Sequence, residues 1–193
     1  MKENSPQIER DPKGQKALIS LKRIRNLAGK RVMVRVDYNV PIKNKKVVED
    51  TRLVESLPTL TYLLKQKAKV VIVTHVGRPE GQLVAELKVD PIVKRLGELV
   101  GKKVEKLEIR NWKLGKKQLH ELQRLIKKKK PGQVVMLENI RFSPDENKNT
   151  GTLAEDLASL ADIFVLDGFA VAHRAAASVT GVSKFLPSYA GFL

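Results

Sequence analysis

Four short blocks of this 193-residue sequence combine residue types suited to holding a small anion. They are Asp37-Tyr38-Asn39-Val40-Pro41, His75-Val76-Gly77-Arg78-Pro79, Asn139-Ile140-Arg141-Phe142 and Gly168-Phe169-Ala170-Val171-Ala172-His173-Arg174; Arg52 follows shortly after the first. Arg presents a planar fork that pairs bidentately with carboxylate or phosphate. Gathered in one crevice, Arg52, Arg78, Arg141, Arg174, His75 and His173 would suit a small ligand with several negative charges. A plain structural role stands beside each residue. Asp37 can cap the turn it begins, and Arg78 before Pro79 can be a surface turn residue. His75 can be a satisfied buried histidine, and Arg141 and Arg174 can pair with Glu138 or Asp167. No single residue decides between these readings; a shared position would. His120 lies within a helical pattern and is read as structural.

Other chemistries find no support. G-x-G-x-x-G, G-x-x-x-x-G-K-[ST] and H-E-x-x-H are absent, and Gly29-Lys30, Gly101-Lys102 and Gly115-Lys116 are not followed by Ser or Thr. Three His and no Cys are poor material for a transition-metal site, and no nucleophile elbow supports acyl transfer through Ser.

A shared position follows from the elements that must carry these blocks. β-rich runs at 32–36, 70–74, 104–108, 134–138 and 163–167 are mostly near-continuously apolar, as expected of strands buried on both faces. Helical patterns alternate with them. One carries Leu53, Leu57, Leu60 and Leu64 behind Asp50 and Thr51, with Pro58 predicting a kink or late start. A second opens at Asp90-Pro91, with Asp as N-cap, and stops at Gly101. A third carries Leu119, Leu122, Leu125 and Ile126 up to Pro131-Gly132, and a fourth starts at Thr152. This alternation predicts one α/β domain: a single parallel sheet of five strands with helices on both faces. Such sheets bind ligands beyond the carboxyl ends of their strands, where the four blocks fall.

Composition bounds the rest. The chain has 37 Lys+Arg against 21 Asp+Glu, a net charge of +16, and is 42% hydrophobic, enough for a buried core. Runs such as 127–130 read as solvated helix ends, and 5% aromatic content is meagre for base stacking, so no nucleic-acid partner is expected. The polar start and the lack of any long apolar run predict a soluble cytoplasmic protein with no membrane partner. Residues 1–17 read as a flexible basic extension and 18–193 as the domain.

The blocks, with Arg35-Val36 before Asp37, Thr51-Arg52, Leu137-Glu138 and Ala172-His173-Arg174, resemble in order and spacing the amino-terminal domain of the phosphoglycerate kinase family. The likeness runs from about Leu18 to Leu193. It implies a Rossmann-like three-layer sandwich, the amino-terminal half of a two-domain kinase. It also implies a monomer that binds 3-phosphoglycerate or 1,3-bisphosphoglycerate through Asp37, Asn39, Arg52, His75, Arg78, Arg141 and Arg174, with His173 in support. Arg52 would face the transferring phosphoryl group. Mg-ATP or Mg-ADP would bind a carboxy-terminal domain that this sequence lacks, so the chain itself is expected to hold no cofactor and no metal, and to be inactive alone. Two departures stand out: Leu166-Asp167-Gly168-Phe169-Ala170 replaces the family's usual Asn-Asp-Ala-Phe-Gly, and Ala176 replaces a His. The first of these gives some support to an alternative, a non-catalytic anion-binding or regulatory domain of the same fold.

Overall fold

Near-continuous apolar runs become strands because both sides of each can be buried. In the computed structural model, which describes residues 19–109, 112 and 114–193, strands β1 (Ile19–Ser20), β2 (Arg31–Val36), β3 (Ile42–Lys43) and β4 (Lys46–Val47) lead to helices α1 (Thr51–Glu55) and α2 (Leu57–Lys65). Then follow β5 (Lys69–Val73), α3 (Asp90–Val100), β6 (Val104–Leu107), α4 (Lys116–Lys127), β7 (Val134–Leu137), α5 (Leu153–Ser159), β8 (Ile163–Asp167), α6 (Phe169–Ala172) and β9 (Ser188–Ala190). The extension expected over residues 1–17 lies outside the described residues. Among the described residues no helix is long and apolar enough to cross a membrane.

Seven strands form one sheet in the order β1-β9-β8-β2-β5-β7-β6, and every pairing in it is parallel. The expected five-strand sheet is thus extended by β9 and β1 at one edge. Both are too short to carry a periodic signal, and β9 begins just beyond Pro187. β3 and β4 form a separate antiparallel hairpin that turns on Asn44 and Lys45, both at positive φ.

Register sorts the side chains into two cores. Val32, Val34, Val70, Ile72, Val134, Met136 and Val165 face Leu53, Leu60, Leu63, Ile92 and Leu96 of α1 to α3. Met33, Val71, Val73, Val135, Leu137 and Phe164 face Leu122, Ile126, Leu153 and Leu157 of α4 and α5. Burying one Leu or Val side chain contributes about 1.5–3 kcal/mol, so two such layers hold the sheet from both sides.

Helix ends depart from the sequence reading in detail. Pro58 does interrupt the first crossover, which breaks at Ser56 into α1 and α2. Neither Asp50 nor Asp90 caps a helix with its side chain. Asp50 instead pairs with Arg95, and Asp90, inside the first turn of α3, pairs with Lys106. A charge partner within reach outcompeted the local backbone donors. Gly101 ends α3 in the left-handed conformation, as its position suggested.

The connection after β5 leaves along the α3 face, whereas the one after β7 leaves along the α5 face. Divergence of neighbouring connections opens a crevice above the strand ends, at a topological switch point.

Candidate functional site

The chain turns sharply at the end of each central strand, and side-chain hydrogen bonds lock these turns to one another. After β2, Tyr38 N–H donates to Thr74 Oγ1 (2.9 Å), tying the first block to the end of β5. Asn39 Oδ1 accepts from Gly77 N–H (2.8 Å). Asn139 Oδ1 accepts from Val76 N–H (3.2 Å), and its Nδ2 donates to Val76 O (2.8 Å) and Leu87 O (2.9 Å). Gly77 sits at φ +63°, which places its carbonyl to accept from Arg141 Nη1 (2.8 Å). An added Cβ there would lie 2.8 Å from Leu87 Cδ2. The positive φ favours glycine at this turn, and a side chain there would also have to displace the tip of Leu87.

Asp37 caps its turn, accepting from Asn39 N–H (3.1 Å), and also accepts from Arg52 Nη1 at the start of α1. Asp37 thus makes the turn contact expected of its structural role and at the same time holds Arg52. His75 is 3% exposed; its Nε2 lies 3.7 Å from Asp37 Oδ1 and its Nδ1 3.2 Å from Arg35 Nη2. Burial, then the guanidiniums of Arg35, Arg141, Arg174 and Arg52, push its pKa down to about 2. His75 is neutral, and it is surrounded by cations.

Arg141 is 5% exposed in the turn Ile140–Phe142. Burial and its neighbour Arg174 lower its pKa, against Glu146 and Asp37, with Arg78 also lowering it. The pairings of Arg141 and Arg174 with Glu138 or Asp167 are not formed. Glu138 is taken by Lys106 Nζ and Val89 N–H, and Asp167 Oδ1 by Thr59 Oγ1, Phe192 N–H and Leu193 N–H. Arg141 Nε is buried without a partner. Arg78, Arg141 and Arg174 line one cavity of about 330 Å³ with Glu80, Asn147, Ala175 and Ala176. Asp37 and Arg52 line a second of about 340 Å³ with Glu55, Asp167, Gly168, Phe169, Ala170 and Leu193. His75, packed between Asp37 and the arginines, links the two groups. Larger hollows of about 660 and 720 Å³ lie at β6 and α4 and between the β3–β4 hairpin and α3. Their linings mix Lys with Asp and Glu, so size alone does not locate the anion site.

Seven of the eight residues singled out in the sequence thus stand on one rim. His173 is exposed at the end of α6 and makes no hydrogen bond or ion pair with them among the described residues. The sequence reading missed Arg35, Glu146 and Ser178. Arg35 is 1% exposed on β2; its Nε donates to Ser178 Oγ (2.7 Å), and Ser178 donates through Oγ (2.6 Å) and N (2.9 Å) to Glu146. A charged residue within an otherwise apolar strand was the available signal for Arg35. Glu146 and Ser178 gave none, being loop residues of ordinary type.

Among the departures at 166–170, Gly168 precedes α6 directly above Asp37. Gly168 has extended backbone (φ −160°), and a Cβ there would lie 3.1 Å from Val171 Cγ2 and 3.2 Å from Asp37 N. The space is tight but not closed.

Comparison with known proteins agrees on the family. A family model described as phosphoglycerate kinase matches residues 21–193. The chain is 49% identical over 168 residues to the phosphoglycerate kinase of Dictyoglomus turgidum, covering 87% of this chain and 40% of that protein. It is 45% identical over 168 residues to that of Pelotomaculum thermopropionicum, with 87% and 41% coverage. The solved phosphoglycerate kinase of Coxiella burnetii superposes with a TM-score of 0.78 at 39% identity, over 92% of this chain and 42% of that one. The chain spans about 40% of the length of the curated relatives it matches.

Proposed function

The chain belongs to the phosphoglycerate kinase family, and from that membership we propose that its strand-end rim is the 3-phosphoglycerate half of a phosphoryl-transfer site. The observation that carries this reading is the cavity shared by Arg78, Arg141 and Arg174, whose guanidiniums form no ion pair with a carboxylate among the described residues. Like charges this close disfavour one another, as Arg174 and Arg78 do Arg141, and an anionic ligand offsets that repulsion.

In this reading the three arginines hold the C3 phosphate. The C1 carboxylate then points along the rim toward Arg52. Asp37 and Asn39 orient the glycerate hydroxyl and Arg52. A carboxylate oxygen attacks the terminal phosphorus of ATP; the new O–P bond forms as the bridging P–O bond to ADP breaks, giving 1,3-bisphosphoglycerate. Such transfer needs positioning and charge neutralisation more than covalent help from the protein. Arg52, held by Asp37 through Nη1 and 43% exposed at its side chain, keeps its other donors for charge that grows in the transition state.

Family membership implies Mg-nucleotide use by the full-length enzyme. The described residues do not fit that group: none forms a cluster of three or more His, Asp or Glu able to hold a metal ion, and no phosphate-cradling glycine loop is present. We place the nucleotide on a carboxy-terminal domain of a longer, monomeric, cytoplasmic protein, with residues 18–193 as the substrate domain. Closure of the two domains assembles the site and excludes water.

The test is calorimetric titration of the chain with 3-phosphoglycerate and with a generic oligonucleotide at two salt concentrations, alongside a transfer assay with ATP. Expected are saturable 3-phosphoglycerate binding that weakens with salt, little oligonucleotide binding, and no transfer by the chain alone. Absence of 3-phosphoglycerate binding at low salt in a folded sample would contradict the proposal, as would tighter binding of the oligonucleotide.

A further inference from the structure

Five side chains beneath the rim form one continuous polar relay. Ser178 has a single hydroxyl proton and gives it to Glu146 Oε1 (2.6 Å), so its oxygen is left to accept from Arg35 Nε (2.7 Å). Glu146 Oε2 accepts from Ser178 N–H (2.9 Å), which fixes the carboxylate on both oxygens. Arg35 Nη1 donates to Val36 O, and Nη2 reaches His75 Nδ1 (3.2 Å). A guanidinium carries donors only. His75 Nδ1 must therefore be the bare, accepting nitrogen, and the ring proton sits on Nε2, facing Asp37 Oδ1 at 3.7 Å.

The relay is buried along its length: Glu146 and Arg35 are each 1% exposed and Ser178 is fully buried. Burying such a pair costs desolvation that the Coulomb attraction, at 3.8 Å between Arg35 Nη2 and Glu146 Oε1, does not simply repay. Replacing a buried ion pair by apolar residues of similar volume is often neutral or stabilising, so stability alone does not account for the arrangement.

We propose that Glu146, acting through Ser178 and Arg35, is a positioning residue that fixes His75 as the neutral Nε2–H tautomer and so gives the rim a hydrogen-bond donor without another positive charge. The tautomer of a histidine is set by the bond its other nitrogen makes. With the rim read as the 3-phosphoglycerate site, this donor serves the ligand's hydroxyl or carboxylate, while the surrounding Arg52, Arg141 and Arg174 supply the charge.

The experiment is ¹⁵N NMR of His75 in the chain, whose proton-bearing and bare ring nitrogens resonate far apart. The wild type should show a single Nε2–H tautomer, unchanged from pH 8 to pH 5. Glu146→Gln removes the buried counter-charge, leaving Asp37 as the remaining carboxylate that draws on Arg35. Arg35 then leaves Nδ1, and His75 becomes a mixture of Nε2–H and Nδ1–H forms. Ser178→Ala keeps both charges but removes the relay, so Arg35 collapses onto Glu146 with the same result, and it serves if the first variant does not fold. A mixed or Nδ1–H wild type would overturn the proposal, as would a uniform Nε2–H signal in a folded variant. A tautomer shift in a chain that fails to bind 3-phosphoglycerate supports the relay and contradicts only the proposed ligand.

Discussion

His75 is the residue at which burial and charge act in the same direction. Its folded pKa is lowered to about 2, against about 6.5 in an unfolded chain. Between those values the unfolded state holds the extra proton, so His75 favours folding fully above pH 6.5 and loses that contribution as pH falls. The slope approaches about 1.4 kcal/mol per pH unit. His75→Asn keeps an acceptor for Arg35 but cannot titrate. Urea midpoints should therefore fall more steeply with acidification, between pH 7 and pH 5, in the wild type than in the variant; parallel curves would contradict the assignment. The arginines divide differently. In a protein of the relatives' full length, Arg52→Ala should depress kcat far more than binding, by about 2.7–4 kcal/mol of transition-state stabilisation. Arg141→Ala should first raise KM. Steady-state kinetics on the two variants decides, and an Arg52→Ala effect confined to KM would remove its proposed role.

Between residue and molecule stand the turns after β2, β5 and β7. Gly77 holds two of them together, giving its N–H to Asn39 and its carbonyl to Arg141. Gly77→Ala forces a Cβ against Leu87 and strains the left-handed backbone, at a cost on the order of 1–3 kcal/mol. Thermal unfolding should show that loss, and calorimetry should show weakened 3-phosphoglycerate binding with it, because the strained turn displaces the carbonyl that aims Arg141. Full retention of both would mean that the turn does not position the rim. How far these elements were legible follows from the same physics. β2, β5, β7 and β8 announced themselves because each is buried on two faces, whereas β6, at the sheet edge, carries partly exposed Glu105 and Lys106 between Val104 and Leu107. The candidate residues other than Arg52, which lies at the start of α1, were legible because they follow these strands. β1, β9 and the β3–β4 hairpin, two or three residues per strand, are set by the neighbours they pair with and leave no period to read. Asp167 was legible as a strand end. Its grip on Thr59, Phe192 and Leu193 was not, since it depends on Gly191, where a Cβ would lie 2.0 Å from its Oδ1.

At the scale of the whole molecule, the parallel sheet sends every strand's carboxyl end to one edge, and the connections after β5 and β7 leave on opposite faces there. The +16 charge is spread over the chain, and at this edge three guanidiniums line one cavity with one of them buried. The central claim is that a small multiply charged glycerate occupies that edge. The most direct test is to follow the backbone amides and arginine Nε–H groups of the chain by NMR as 3-phosphoglycerate is added. Saturable shifts should concentrate at Asn39, Gly77, Arg78, Arg141 and Arg174, with the opposite edge at Gly29 and Gly132 and the lysine run 127–130 unmoved. Shifts spread over the lysine runs, or centred on the opposite edge, would contradict the account.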